Sequence, residues 1–183
     1  MNDDDLLRRC QQGDDRALTQ LVQAYQARIF QLAMRVLNDQ ARAEDATTDA
    51  LASIWSRCSS WRGEGARTWI QRVAWRVVLD HHRARRRWWR FWELDDDANL
   101  TSNASDDPAE KFATLDRQTD LAQRVKAILA QLPAEDRALV HWHYFEEQSL
   151  ADIAEVLGTT RDALKMRLSR LRTKLRMIWK DEK

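Results

Sequence analysis

The stretch "SLADIAEVLGTTRDALKMRLSRLRTKLR", residues 149–176, predicts two helices joined by a tight turn. Ser149, followed three residues later by Asp152, forms a capping box, in which paired side chains satisfy the free backbone donors at a helix start. Gly158 supplies a position at which a positive φ costs little, so the chain can turn there. A second helix then starts near Thr160. This layout is that of a helix-turn-helix.

The second helix of this stretch has one apolar face and one basic face. Its apolar stripe, at helical spacing, consists of Leu164, Leu168, Leu171, Leu175 and Ile178. In a recognition helix, outward residues near the start reach base edges and flanking cations hold phosphates. We therefore predict DNA contact by the outward and flanking residues Thr160, Arg161, Lys165, Met166, Arg167, Ser169, Arg170 and Thr173. An antiparallel helical hairpin with a solvated basic face is the alternative.

Composition and charge distribution favour helices and a polyanionic partner. The 183 residues include only four glycines and two prolines, and good helix formers are plentiful. The net charge is +1, yet the charges are segregated along the chain. Residues 67–92 hold eight arginines and one acid, residues 95–110 hold acids and no base, and residues 161–176 are basic except for Asp162. Such segregation indicates a polyanion partner more than a random surface does.

Metal, catalytic and membrane sites are not indicated by the sequence. Cys10 and Cys58 form no CxxC motif, so we expect ordinary reduced thiols. His141 and His143 lie two apart on a predicted helix and diverge, which argues against a shared metal. There is no apolar run of the roughly 20 residues that a membrane span needs. We predict a cytoplasmic protein that is not an enzyme, with no cofactor, metal or membrane span.

Two amphipathic helices are predicted in the first 57 residues. One runs from Arg16 to Leu37 with an apolar stripe at helical spacing. The other runs from Glu44 to Arg57, and its inward side consists of Thr47, Leu51, Ile54, Trp55 and Cys58. Its opposite side is an exposed, acidic surface of small residues, formed by Asp45, Thr48, Asp49, Ala52 and Ser56. A merely solvated helix face is the alternative to a binding surface.

A third helix is predicted to begin near Ala66, after the loop 59–65, and to continue past Arg83. Its buried side consists of Trp69, Ile70, Val73, Ala74, Val77 and His81, and would be extended by Trp88, Phe91 and Trp92. Arginines pair with phosphates and exposed rings stack on bases. The opposite side is therefore predicted to contact nucleic acid through Arg72, Trp75, Arg76, Arg83 and Arg86. A solvated basic face is the alternative.

An acidic linker divides the chain into two parts. Residues 95–117 are rich in Asp, Asn and Ser, with almost no large apolar residue before Phe112. A helical pattern then resumes with the stripe Leu121, Val125, Ile128, Leu129 and Leu132. We predict an all-α protein with two small helical domains, 1–94 and 118–183, joined by the linker 95–117.

Two long stretches resemble a known family. "LPAEDRALVHWHYFEEQSLADIAEVLGTTRDALKMRLSRLRTKLR", residues 132–176, resembles the fourth conserved domain of bacterial sigma factors. "LVQAYQARIFQLAMRVLNDQARAEDATTDALASIWSRCSSWRGEG", residues 21–65, continuing to "WIQRVAWRVVLDHHRARRR", residues 69–87, resembles their second conserved domain. Their order, with only a short linker between them, is typical of the extracytoplasmic function (ECF) group.

The resemblance implies a transcription initiation factor whose partners are core RNA polymerase and promoter DNA. In the family, the first domain reads and melts the minus-ten element, and the last domain reads the minus-thirty-five element. The helix corresponding to residues 45–55 docks on the clamp helices of the largest polymerase subunit, and the linker threads toward the active-site and RNA-exit channels. The resemblance thus assigns polymerase binding to Asp45, Thr48, Asp49 and Ala52. An anti-sigma factor is a common further partner in the group.

The docking helix departs from the family pattern at its centre. The family usually has a run like Asp-Leu-Val-Gln-Glu where this chain has Asp45-Ala46-Thr47-Thr48-Asp49. Thr48 lies between the two acids on the exposed face, and some members of the group are thought to be activated by a Ser/Thr kinase acting here. Phosphorylation would add roughly −1.5 to −2 charge. The two interpretations are a phosphorylation site at Thr48 and a tolerated polar substitution.

Base preference does not transfer from the family. The loop after "WRGEG" looks one residue shorter, Arg76 stands where an Asn is usual, and Met166 stands where a small polar residue is common. Two rival functions use the same motifs. A stand-alone helix-turn-helix regulator would need neither an acidic docking helix nor the basic and aromatic helix from Arg72 to Arg86. A helical interaction protein, such as a sigma mimic that sequesters a partner, would be expected to lack the cationic face formed by Lys165, Arg167, Arg170 and Arg172.

Overall fold

The computed structural model describes residues 2–93, 125 and 127–181, with side chains described within 2–84, 125 and 127–179. As predicted, every element in this part of the chain is helical. The helices are α1 (Asp3–Gln11), α2 (Asp15–Leu37), α3 (Gln40–Arg57), α4 (Ala66–Glu93), α5 (Ala134–Val140), α6 (Leu150–Leu157) and α7 (Arg161–Asp181). The linker 95–117 and Leu121 lie outside the described residues, as do the side chains of Arg86 and of the tryptophan cluster at 88–92, and the predictions that concern them stay predictions.

Two short distorted turns complete the described elements. A 3-10 turn, Cys58–Ser60, follows α3, and a π turn, His141–Phe145, follows α5. Residues 127–130 are helical and lead through Leu132 to Pro133, which precedes α5 as its N-cap residue. The acidic stretch therefore lies, in chain order, between α4 and this helical segment.

Helix α1 was not predicted, although it positions α4. Its start is capped by the side chain of Asn2, which accepts a hydrogen bond from the backbone N–H of Asp4 at 3.0 Å. The carboxylate of Asp4 in turn accepts from the backbone N–H of Ala66 at 2.7 Å and so satisfies a free donor at the start of α4. Gln11 closes the other end by donating to the carbonyls of Cys58 and Trp61.

Side-chain caps fix the starts of α2 and α3. Asp14 accepts from two backbone N–H groups of α2 and also from the guanidinium of Arg9 at 2.7 and 2.9 Å, and these hydrogen bonds, Arg9 foremost, lower the pKa of its carboxyl. Asp39 accepts from the backbone N–H of Arg42 at 3.0 Å. Helix α3 therefore begins at Gln40, four residues before the predicted Glu44.

Helices α1 to α4 build one apolar core. The predicted stripe on α2 is largely buried, and α3 faces it with alanines as well as with Ile54. Small side chains on α3 let α2 and α4 approach it closely on both sides. The buried members of this core are Leu6, Leu7, Cys10, Ala17, Leu21, Tyr25, Ile29, Ala50, Ile54, Cys58, Trp61, Ala66, Ile70, Val73 and Ala74.

A second core joins the two predicted domains. It contains Leu32, Val36 and Val78 from the front half together with residues of α5, α6 and α7. At its centre the rings of Trp75 and Trp142 meet edge to face, with centroids 5.7 Å apart and planes at 75°. Trp75 is only 5% exposed, so the prediction of an exposed ring there is wrong for this conformation. Helix α4 is therefore buried on two sides. The second domain covers the side that the apolar periodicity of the sequence had predicted to be exposed to solvent.

The helix-turn-helix forms as predicted. The Ser149 hydroxyl oxygen accepts a hydrogen bond from the backbone N–H of Asp152 at 3.2 Å. The same hydroxyl donates to the Asp152 carboxylate at 2.7 Å, so this carboxylate binds a side chain where a capping box would have it accept from a backbone N–H. Gly158 adopts φ +66° at the end of α6, and Thr160 caps α7 by accepting from the N–H of Ala163. Leu164, Leu168 and Leu171 are buried, and Leu175 and Ile178 are half-buried.

Candidate partner and nucleic-acid interfaces

The outer face of α3 is an open, acidic surface. Asp45, Thr48, Asp49 and Ala52 are all exposed, as is Ser56 one turn later. Thr47 points inward, is only 4% exposed and donates to the carbonyl of Ala43 at 2.6 Å. The structure thus separates the two adjacent threonines as the sequence predicted. The role of this face in polymerase binding stays a prediction.

Two local contacts orient groups on this face. The hydroxyl of Thr48 donates to the backbone carbonyl of Glu44 at 3.1 Å and remains accessible. Asp49 lies 2.9 Å from Nε2 of His81 on α4, while its side chain keeps 62% of its surface exposed. Arg42 also reaches α4, where it donates to the backbone carbonyl of His81. The carboxylate of Asp49 is therefore held in place without being buried.

The basic side of α4 is divided between solvent and the second domain. Arg76 and Arg83 are exposed. Arg72 instead donates to the backbone carbonyl of Glu155 on α6 at 3.1 Å and pairs with the Glu155 carboxylate at 3.2 Å. The side chain of Arg86 lies outside the described residues. Of the α4 residues predicted to contact nucleic acid, Arg76 and Arg83 are therefore exposed to solvent, whereas the second domain covers Trp75 and part of Arg72.

The outward side of α7 is open along most of its length. The predicted DNA-contact residues Arg161, Lys165, Met166, Ser169, Arg170 and Thr173 are exposed, as is the capping residue Thr160. Arg167 is half-buried because its Nε donates to Asp136 at 2.5 Å and its Nη2 lies 4.0 Å from Glu135. Arg167 is thus tied to α5 at the base of the recognition surface. The DNA-reading role of these residues stays a prediction.

Five residues between the halves were missed by sequence reasoning. Arg28 on α2 and Arg67 on α4 lie 3.9 and 3.7 Å from the carboxylate of Glu146, whose side chain is only 13% exposed. The guanidinium of Arg35 on α2 lies 3.9 Å from the ring centroid of Phe145. An arginine inside the apolar run "LAMRVL" was the one local signal that this part of α2 has a polar partner.

Arg35 also fixes the protonation state of His141. Its Nη1 lies 2.9 Å from His141 Nδ1, and because arginine can only donate, Nδ1 must carry the lone pair. Burial, followed by the charge of Arg35, lowers the pKa of His141 to about 3. Burial also lowers the pKa of Arg35. His141 is therefore a neutral side chain that closes the seam between α2 and the second domain.

A groove lies beside this seam. It has a volume of about 330 Å³ and is lined by Phe30, Gln31, Met34, Arg35, Asn38, Val125, Leu129, Ala130 and Phe145. Its walls come from α2 on one side and from the second domain on the other. Val125 and Phe145 keep 39% and 51% of their surface exposed.

The described part of the chain holds neither a cluster of metal ligands nor a membrane-spanning helix. Within residues 2–84 and 127–179, no group of three His, Cys, Asp or Glu side chains is placed to hold a metal ion. Among the described helices, none is long and apolar enough to cross a bilayer. Cys10 and Cys58 are buried free thiols, and burial raises the pKa of Cys10.

Both parts of the chain match known families. Residues 21–88 match the family model of sigma-70 region 2, and residues 122–175 match that of sigma-70 region 4. The RNA polymerase sigma-H factor of Pseudomonas aeruginosa is 30% identical over 175 residues, which cover 93% of this chain and 90% of that protein. The ECF RNA polymerase sigma factor SigL of Mycobacterium tuberculosis is 31% identical over 150 residues, covering 81% and 80% of the two chains.

Solved structures share the fold. The structure of CnrH in complex with the cytosolic domain of CnrY aligns with a TM-score of 0.73 at 20% identity and covers 99% of both chains. The sigma factor RpoE in complex with the anti-sigma factor NepR from Bartonella quintana aligns with a TM-score of 0.64 at 20% identity and covers 90% of this chain and 98% of that one. At such identities the likeness concerns the fold.

Proposed function

This chain belongs to the extracytoplasmic function group of sigma factors, and on that premise we propose which of its surfaces carries each step. It is a transcription initiation factor that binds core RNA polymerase and directs it to promoters through their minus-ten and minus-thirty-five elements. The proposed domains are residues 1–94 and 118–183, with residues 95–117 as an acidic linker. The chain acts in the cytoplasm and contributes binding, not catalysis.

Polymerase docking is assigned to the outer face of α3, and one observation carries this assignment. Asp45 and Asp49 are exposed on a helix whose other residues on that face are small, so a cationic partner surface can approach the backbone closely. Thr48 and Ala52 complete the contact area. Long-range attraction between this face and a basic surface of the polymerase would raise the rate of association and fix the orientation in which the two proteins meet.

Promoter reading is assigned to two cationic helices. Arg72, Trp75, Arg76, Arg83 and Arg86 on α4 form the proposed minus-ten reader, in which arginines hold phosphates and the indole stacks on an unpaired base. The proposed minus-thirty-five reader on α7 consists of Thr160, Arg161, Lys165, Met166, Arg167, Ser169, Arg170 and Thr173. Residues near the start of α7 reach base edges in the major groove, while the cations contact phosphates.

Thr48 is a candidate site for activation by a Ser/Thr kinase. Its hydroxyl is exposed between two acids, and phosphorylation would add charge to the surface that docks on a basic partner. Thr48→Ala should abolish kinase-dependent activity in the native host, whereas Thr47→Ser, on the buried neighbour, should not. Undiminished promoter activity of Thr48→Ala would leave the tolerated polar substitution as the explanation.

An anti-sigma factor is the second proposed regulator. The RpoE structure that this fold resembles was solved with the anti-sigma factor NepR. In this chain, the groove between α2 and the second domain offers apolar walls and one cation, Arg35. An amphipathic helix with a carboxylate facing Arg35 fits that groove. Because the walls come from both halves, such a helix would hold the halves together.

Run-off transcription with purified core polymerase and a promoter library tests the function. The native chain should direct initiation at a subset of promoters, and Asp45→Lys with Asp49→Lys should remove it by reversing the charge of the docking face. Glu64→Lys reverses the charge of an exposed acid in the loop before α4, away from the docking face, and serves as the control. Initiation that survives both docking substitutions would contradict the α3 assignment, and a stand-alone regulator would bind DNA without affecting core polymerase at all.

A further inference from the structure

We propose that Tyr144 and Arg172 form a phosphate-binding cradle at the edge of the α7 reader. Tyr144 positions the guanidinium of Arg172 and donates its own hydroxyl proton to the same DNA phosphate. The inference rests on the proposed function of α7 and extends it to two residues outside the set assigned there. Because the ligand is a backbone phosphate of duplex DNA, the cradle contributes affinity and orientation and no base preference.

Arg172 is held by a tyrosine that lies on a different element. Its Nε donates to the hydroxyl oxygen of Tyr144 at 2.8 Å, and its guanidinium carbon lies 5.9 Å from the centroid of the Tyr144 ring. Tyr144 belongs to the π turn before the helix-turn-helix, whereas Arg172 lies in the middle of α7. Both side chains are exposed, Tyr144 at 48%. The hydrogen bond thus restricts a long arginine before DNA arrives, which lowers the entropy cost of binding.

The Tyr144 ring is itself held in place by the turn that carries it. The rings of His143 and Tyr144 meet edge to face, with centroids 4.8 Å apart and planes at 68°. Nδ1 of His143 makes a long hydrogen bond of 3.4 Å to the backbone carbonyl of Gln148, and since a carbonyl can only accept, Nδ1 carries the proton. The backbone N–H of Gln148 donates to the carbonyl of Trp142 at 2.9 Å and closes the turn. Tyr144 is therefore presented beside α7 by a hydrogen-bonded turn.

Tyr144 holds Arg172 without neutralising its charge. Arg167, another cation of α7, donates to Asp136 at 2.5 Å and lies 4.0 Å from Glu135, so acids on α5 offset its charge. Within the described part of the chain, Arg172 pairs with no carboxylate, and its partner is an uncharged hydroxyl. Only Nε is used, so both Nη groups can donate to a phosphate. The Tyr144 hydroxyl accepts from Arg172, which leaves its proton free to donate to the same anion.

The cradle continues one side of the proposed reader. Arg161, Lys165, Arg172 and Arg176 are all exposed, and their separations of four, seven and four residues place them on one side of α7. Arg161 and Lys165 already belong to the proposed DNA contacts. Arg172 lies about 10 Å further along the helix axis than Lys165, because each residue advances the helix by about 1.5 Å. It therefore extends the row of cations to a further phosphate.

The salt dependence of DNA binding tests the role of Arg172. The free chain is titrated into a short, fluorescently labelled duplex of arbitrary sequence, and anisotropy is measured at several salt concentrations. Arbitrary sequence suffices because phosphate contacts do not depend on the bases. Arg172→Ala should reduce the slope of log K against log salt by about 0.9, the value for one phosphate no longer neutralised. Arg16→Ala, which also removes one exposed cation, should leave the slope unchanged.

Tyr144→Phe separates positioning from charge. It removes only the hydroxyl and should weaken binding by about twofold to tenfold at a fixed salt concentration, the range of a single hydrogen bond. Arg172→Lys keeps the charge but has no Nε donor, so Tyr144→Phe should have a smaller effect in that background. A merely structural role of Tyr144 would lower the free energy of unfolding in urea without producing this coupling between the two substitutions.

Three results would overturn the proposal. The first is an Arg172→Ala slope that changes no more than that of Arg16→Ala. The second is a Tyr144→Phe variant that binds the duplex like the native chain, or that loses equal affinity with Arg172 and with Arg172→Lys. The third is normal DNA binding by both single variants together with failure in run-off transcription, which would make the pair a contact with polymerase.

The proposed function of α7 fails by a different result. A reduced slope in Lys165→Ala/Arg170→Ala with an unchanged slope in Arg172→Ala would contradict the cradle alone. An unchanged slope in all of these variants would contradict the assignment of DNA binding to α7 itself.

Discussion

Helices α4 and α7 are both arginine-rich, yet within the described residues the second domain covers the α4 side with Arg72 and Trp75, whereas the outward side of α7 is largely open. Helix α7 buries one narrow stripe, which includes Leu164, in its own domain. Helix α4 buries one side in the front-half core and another, through Trp75 and Val78, in a core shared with the second domain. The difference teaches that a basic helix face which is exposed on an isolated domain can be buried against another domain in the whole protein.

The largest expected effect is on the stability of α7 packing. Leu164→Ala removes a side chain that is 1% exposed, and should lower the free energy of unfolding by about 2–5 kcal/mol because apolar burial decreases and a cavity remains. Urea denaturation followed by circular dichroism measures this change. A cost near zero would mean that α7 is not packed on its leucine stripe.

The same kind of truncation on α4 should act differently. Trp75→Ala removes a ring that belongs to the shared core and not to the core of α1–α4. We expect the chain to open, with a larger radius of gyration by scattering, while far-ultraviolet circular dichroism shows its helices intact. Loss of the front-half helices would contradict this division, because Trp75 would then be needed inside its own domain.

The proposed DNA-binding cations of α7 should appear in the salt dependence of binding by the free chain. Lys165→Ala with Arg170→Ala should reduce the slope of log K against log salt by about 0.9 for each phosphate that the variant no longer neutralises. Arg16→Ala, which removes one exposed cation at the start of α2, is the control. Titration of a promoter-like duplex at several salt concentrations measures the slope for each variant. An equal decrease of the slope in Arg16→Ala would contradict the assignment of DNA binding to α7.

A smaller effect is expected from pH, at the seam beside α4. The folded chain holds His141 neutral, with its pKa lowered from 6.5 to about 3, so the unfolded chain binds one more proton between these values. Stability is therefore full above about pH 6.5 and falls as the pH drops, by at most about 1.4 kcal/mol per pH unit. Arg35 faces His141 and repels a protonated ring, and Arg28 and Glu146 line the same pocket as His141.

Thermal unfolding between pH 7 and pH 5 measures this contribution, in a range above the ordinary titration of carboxylates. His141→Gln keeps an acceptor for Arg35 but cannot titrate there, so it should flatten the profile. An unchanged profile in the variant would place the pH dependence elsewhere.

Local patterns predicted much of the fold and failed where distant parts of the chain meet. The stripes of α2, α3 and α7, the turn at Gly158 and the outward position of Thr48 follow from spacing alone. Helix α1 was missed because its nine residues carry only Leu6, Leu7 and Cys10 as an apolar signal, although Asn2 and the acids after it mark a helix start.

The missed interface residues have a different cause. Nothing near Trp75 in the sequence indicates Trp142, and Glu146 gives no local sign of its pairing with Arg28 and Arg67. The periodicity of apolar residues indicates which sides of a helix are buried. It gives no clear answer for the α4 side with Trp75, because that side mixes arginines with aromatic side chains. Such a side fits a nucleic-acid surface and an interdomain contact equally well, and only the three-dimensional arrangement shows the second use.

Hydroxyl-radical footprinting read by mass spectrometry tests the contrast between α4 and α7 most directly, since it reports Trp75 and Met166 in a single sample. Met166 is 58% exposed and Trp75 is 5% exposed. In the free chain, Met166 should be oxidised rapidly and Trp75 slowly, and addition of core polymerase without DNA should accelerate oxidation of Trp75. Rapid oxidation of Trp75 in the free chain, or protection of Trp75 that persists on the polymerase, would contradict the account.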